Sequence, residues 1–261
     1  MIAPVSTGVR DESTSRSDRA HSPAGTAALG DACAAVFGRR TRSVGRDGGR
    51  RWQARKPIAH VPDFNAIALN GSIALKLKQG NTTSVVVRGD SNLLSLVETV
   101  VESNQSLQLR WKRGTVVRSQ LPVVVEVTAP QVRAVASAGS GDIEIDDMKV
   151  PRLSLSIKGS ADLRASGLRT DELAVSLAGS GDLSLAGLAA RVSIELAGSG
   201  DIDAGELRSD DVTVGIAGSG DVTVHATRKL AASIAGSGDV LYSGDPSVQR
   251  SVAGSGSVRK R

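Results

Sequence analysis

Six aspartates, Asp142, Asp162, Asp182, Asp201, Asp221 and Asp239, each follow a Gly-Ser-Gly or Gly-Ser-Ala triplet and recur every 18 to 20 residues. Carboxylates repeated so regularly could ligate a hard cation such as calcium, or could bond the amides of the turn that carries them. The glycine-rich calcium-binding β-roll repeats its Asp every nine residues or so. Here the Asp directly follows the second small residue and the period is twice as long. Turn capping is therefore the expected role, and calcium binding at these six positions is the alternative. Like charges stacked about 4.8 Å apart repel by about 1 kcal/mol per neighbour in water, so each carboxylate needs an amide or a cation beside it.

Other groups could do chemistry. Asp146 with Asp147 and Asp210 with Asp211 offer the two carboxylates that a carbohydrate-acting enzyme uses as acid and base. Both pairs fall where the chain is expected to turn, and residues 57–261 hold only Phe64, Trp111 and Tyr242 as aromatic faces for a sugar ring. His60 and His225 are far apart, and Ser140 recurs in every unit, as an architectural residue does and a nucleophile does not. No catalytic residue and no cofactor is assigned: the chain reads as a non-enzyme, with a carbohydrate-acting β-helix enzyme as the alternative. Cys33 is the single cysteine, which excludes an intrachain disulfide and a Cys-based metal cluster. The run RRTRSVGRDGGRRWQARK at residues 39–56 could neutralise phosphates or an anionic membrane surface. Asp47 dilutes it, and no specific nucleic acid is expected as a partner.

The elements that position these residues follow from periodicity. Residues 1–56 carry 11 basic against 5 acidic side chains with no apolar period, and read as a disordered basic tail. The apolar run at residues 26–38 is interrupted by Asp31 and followed by basic residues, so no signal peptide is recognised, and the residues before Cys33 make a poor lipidation site. Residues 57–135 alternate in short segments such as SIALKLK and PVVVEVTAP, parted by turn residues including Asn70-Gly71, and read as a β-rich entry module that covers the first coil. Residues 136–258 hold seven units whose first glycines are Gly139, Gly159, Gly179, Gly198, Gly218, Gly236 and Gly254. A period of this size predicts a solenoid. Within one unit Leu173, Val175 and Leu177 share a face, Leu183 and Leu185 share the next, and Leu188 is expected as a third inward residue. One unit fills one layer only, so units must stack as coils of a parallel β-helix. The first glycine is invariant while the second becomes Ala161, so the first is expected to take a positive φ and the second only to be small. The fold class is thus all-β, a parallel β-helix behind a β-rich module. Its last coil, SVAGSGSVRKR, either ends in charges that guard against end-to-end growth or mediates homo-oligomerisation.

The lead FNAIALNGSIALKLKQG and VVVRGDSNLLSLVETVV, followed by tandem AGSGDI and AGSGDV units, resembles the head GIN domain family of auto-transporter adhesins over about residues 60–257. The resemblance implies a right-handed β-helix in a bacterial cell-envelope or extracellular protein. It implies adhesion to a surface ligand, protein or glycan, and brings no set of catalytic residues.

Overall fold

The computed structural model describes residues 54–58, 61–114 and 122–261. The chain is all-β, with no helix among the described residues. Its centre is a β-solenoid of about six turns with a curled sheet at its start. The first turn is made by β2 (Ala66–Gly71) and β3 (Ile73–Gln79), and the second by β8 (Ala134–Gly139) and β9 (Ile143–Asp146). β8 lies parallel on β2 with Gly139 opposite Gly71, and β9 lies parallel on β3 with Ile143 opposite Leu75. Asn70-Gly71 is thus a corner of the solenoid itself. Its kinship with the later corners is hidden in sequence by the 67 residues between Gly71 and Gly139.

Part of that interval covers the end of the solenoid. β6 (Ser106–Trp111) and β7 (Val123–Ala129) stack parallel on β2 and β3. Onto them fold antiparallel strands: β5 (Val97–Val101) on β6, and β4 (Ser84–Gly89) on β7. β1 (Ala54–Pro57) adds to β4 in antiparallel register. Ala54, Arg55 and Lys56, assigned from sequence to the tail, therefore belong to this sheet; residues 1–53 lie outside the described residues.

Beyond β9 the coils follow one pattern. β10 (Arg152–Gly159), β11 (Leu163–Gly179), β12 (Leu183–Gly198), β13 (Ile202–Gly218) and β14 (Val222–Gly236) stack in parallel, and β15 (Val240–Ser243), β16 (Ser247–Gly254) and β17 (Val258–Lys260) complete the last turns. Side chains of like size fall into columns. Leu155, Val175, Ile194, Val214 and Ala232 form one, and Ile143, Leu163, Leu183, Ile202, Val222 and Val240 another, all buried. Each layer removes its aliphatic surface from water only because the next covers it, at about 25 cal/mol per Å².

Leu188 departs from expectation. It is 52% exposed, and its neighbour Ala189 is the buried one. Gly187, at φ 140°, lies opposite Leu168, which sets Leu188 in line with Arg169 and Arg208. Within β12 the buried positions Leu183, Leu185 and Ala189 keep one parity, so successive side chains alternate faces and Leu188 points outward; the register shift lies in β11, between Ala165 and Leu168.

Candidate functional site

The corner glycines Gly71, Gly139, Gly159, Gly179, Gly198, Gly218, Gly236 and Gly254 stand opposite one another from coil to coil. All have positive φ, between 96° and 155°. A Cβ on Gly198 would also lie 2.1 Å from the Gly179 carbonyl oxygen, so backbone from the next coil fills the place of a side chain. The second small residues form a parallel column, with Ala161 the one methyl in it.

The aspartates that follow form a ladder. The amide of Asp182 donates to Asp162 Oδ1 at 2.9 Å, Asp201 to Asp182 at 3.0 Å, Asp221 to Asp201 at 2.8 Å and Asp239 to Asp221 at 2.8 Å. Ser257 closes it, giving its amide and its hydroxyl to Asp239 Oδ1. The Ser257 hydroxyl, with Arg259 beside it, holds the Asp239 carboxyl below its ordinary range. An amide therefore occupies an oxygen of each carboxylate from Asp162 to Asp239. No group of three or more His, Cys, Asp or Glu side chains suited to a metal is found among the described residues.

Asp142 stands apart. The rung that would join it to the Asp162 amide is missing, and its carboxylate has no hydrogen-bond partner among the described residues. The gap falls beside Ala161. Asp142 lines a cleft of about 710 Å³ at the sheet-covered end of the corner column, with Trp111, Leu93, Val123, Ser72, Ser140, Asp162, Lys76, Glu144 and Arg164. Trp111, half-buried, lies against Gly71, where a Cβ would meet its Cδ1 at 2.9 Å. Lys76 pairs with Glu144, whose carboxylate raises the Lys76 ammonium above its ordinary range. Glu144 stands opposite Lys76 on one side and Arg164 on the other, so charges of alternating sign run up this column.

The family described as "Putative auto-transporter adhesin, head GIN domain" matches residues 63–246. The chain belongs to this family. Several solved structures share the fold. A putative adhesin from Bacteroides fragilis NCTC 9343 superposes with a TM-score of 0.77 at 25% identity, over 81% of this chain and 98% of that one. A putative lipid binding protein from Parabacteroides distasonis ATCC 8503 gives 0.65 at 26%, over 82% and 98%. A putative adhesin from Parabacteroides merdae ATCC 43184 gives 0.57 at 26%, over 82% and 98%. No curated protein matches the chain.

In this head GIN domain three of the four paired carboxylates are engaged in contacts between coils. Asp146 accepts from the Ser166 hydroxyl at 2.9 Å, Asp210 from the Thr227 hydroxyl at 2.9 Å, and Asp211 pairs with Arg228. Asp147 is an exposed turn residue at φ 50°. His225 lies within β14, its Nδ1 2.8 Å from Ser243 Oγ, and His60 lies outside the described residues. Of the three aromatics, Phe64 is in the core, Tyr242 is near the last coil, and Trp111 alone lines the cleft. Sequence reasoning noted Trp111 only as a scarce aromatic. Its place beside Asp142 depends on β6 stacking on β2, which no local pattern announces.

A second groove of about 610 Å³ runs along the third side, lined by Lys149, Arg169, Leu188 and Arg208 and by Asp171 and Asp210. It sets Lys149 in line with Arg169, and Leu188 between Arg169 and Arg208, where the column through Arg152, Glu172 and Arg191 alternates in sign. The two arginines there pair with Glu172 and hold its carboxyl below the ordinary range, the Arg191 hydrogen bond contributing most.

Proposed function

We propose that this chain is a non-enzymatic adhesin of the cell envelope, whose solenoid presents a long, regular face to a surface ligand, protein or glycan. The observation that carries the reading is the family match over residues 63–246. Two of these solved relatives are themselves named putative adhesins. The geometry is consistent with it: the carboxylates from Asp162 to Asp239 accept amides at the corners, and Asp146, Asp210 and Asp211 are engaged between coils. Another relative's name, a putative lipid binding protein, makes an amphiphile a second class of surface ligand to include in the test.

Cells producing the full chain and cells lacking it are compared for attachment to glycan-coated, protein-coated and phospholipid-coated surfaces. The reading expects a several-fold loss of attachment to at least one coating in cells that lack the chain. Equal attachment to every coating overturns it. The calcium variant of this reading is tested separately by thermal unfolding. A ligand held only by the native state at a hundred times its Kd stabilises by about 2.7 kcal/mol. The amide ladder predicts the same midpoint in calcium and in chelator, and a midpoint raised several degrees by calcium would reinstate the aspartates as ligands.

A further inference from the structure

We infer that the cleft beneath Trp111 binds a neutral oligosaccharide, an assignment that rests on the surface-binding reading and names its ligand class. At about 710 Å³ the cleft lies in the size range of small-ligand sites, which pair apolar walls with a few placed polar groups. The half-buried Trp111, with Leu93, Pro122 and Val123, supplies an apolar wall for the C–H face of a pyranose ring. Ser72 and Ser140 bring hydroxyls, and Asp142 brings a carboxylate.

The state of Asp142 turns this lining into a site. Along the ladder every other aspartate spends an oxygen on the amide of the next coil. At Asp142 that rung is absent, beside the one methyl-bearing residue of the second small column, Ala161, which is fully buried. A carboxylate with both oxygens open accepts the hydroxyls of a sugar in charge-assisted hydrogen bonds, the stronger kind. The charges of the cleft favour a neutral ligand over an anionic one. Lys76 is ion-paired with Glu144, and the two cations of the lining, Lys76 and Arg164, are outnumbered by Asp142, Glu144 and Asp162, so the lining as a whole repels a uronate, sulfate or phosphate.

The test measures binding by titration calorimetry to the full chain. The neutral probes are cello-, xylo-, manno- and chito-oligosaccharides of three to six units and N-acetyllactosamine. Sialylated and sulfated oligosaccharides and choline serve as charged probes, choline because an aromatic face beside a carboxylate also suits a quaternary ammonium. The inference expects saturable binding of at least one neutral probe. Binding should weaken at least tenfold in Trp111→Ala and in Asp142→Asn, recover in Trp111→Tyr, and stay unchanged in Arg208→Ala, which lies in the other groove. Thermal unfolding of each variant separates a lost site from a lost fold. No neutral binding, binding by the charged probes alone, or binding indifferent to Trp111→Ala and Asp142→Asn in folded protein overturns the site. Attachment to surfaces without any neutral-sugar binding overturns this ligand class and leaves the adhesin reading standing. Sugar binding lost in Trp111→Ala with attachment retained supports the site and moves attachment to another face.

Discussion

At the scale of single residues, two positions in each corner do different work. The first glycine is held at positive φ and its missing Cβ is replaced by the carbonyl of the adjacent coil. Gly198→Ala meets both obstacles, φ 142° and a 2.1 Å approach to Gly179 oxygen. The conformational strain alone costs roughly 1 to 3 kcal/mol, so a urea titration of this variant should show a clearly lower midpoint, and an unchanged midpoint would contradict the corner assignment. The different demands on the two positions were legible in the sequence, because Ala161 breaks the second column and nothing breaks the first. The rung lost at Asp142 was not legible. Asp142 reads in sequence like any other member of its series.

Between elements, stability comes from columns of aliphatic side chains and columns of paired charges. Ile194 is fully buried between Val175 and Val214, whereas Leu188, six residues earlier, is half exposed. Ile194→Ala should cost about 2 to 5 kcal/mol and Leu188→Ala close to nothing; similar losses would show that the register of the third side is wrong. Period-two alternation exposed the columns in the sequence. Leu188 lies off that alternation: Leu183, Leu185 and Ala189 are the buried residues of their stretch, and Leu188 falls between them on the outer face, which its apolar side chain conceals. The ion pairs set a pH dependence. Asp239, held below its ordinary range by the Ser257 hydroxyl and Arg259, and Glu172, held there by Arg191 and Arg152, bind fewer protons folded than unfolded. Their stabilisation is present above the unfolded carboxyl range of about 4 and is lost as pH falls through the folded values. Both are solvent-accessible, so the effect is small. The thermal midpoint should hold level from pH 7 to 5 and decline below pH 4, with a shallower decline in Asp239→Asn; a decline of the same steepness in that variant would count against the closing rung.

For the whole molecule, the two ends of the solenoid differ. One is covered by the antiparallel strands β1, β4 and β5, a cap whose existence the alternating segments of residues 57–135 announced but whose division into one coil and one insertion they concealed. The other carries β16 as its outermost strand, with Val252 40% exposed. There Arg250 takes the column position that Ala232 fills one coil earlier, and its guanidinium reaches the Val258 carbonyl across the coil at 3.5 Å. A charge at a core position of an edge strand discourages edge-to-edge pairing. Arg250→Val should therefore raise the sedimenting mass with concentration while the parent chain stays constant. Association of the parent itself, abolished by deleting residues 251–261, would instead make this end an oligomer interface.

The proposed adhesin role places the molecule outside the cell, and that is tested most directly by labelling intact cells with a membrane-impermeant amine reagent and locating the modified lysines by mass spectrometry. Lys149, Lys158 and Lys229 are exposed on different coils. The adhesin account predicts that they are modified on intact cells as fully as after lysis. Modification of these lysines only after lysis would contradict it.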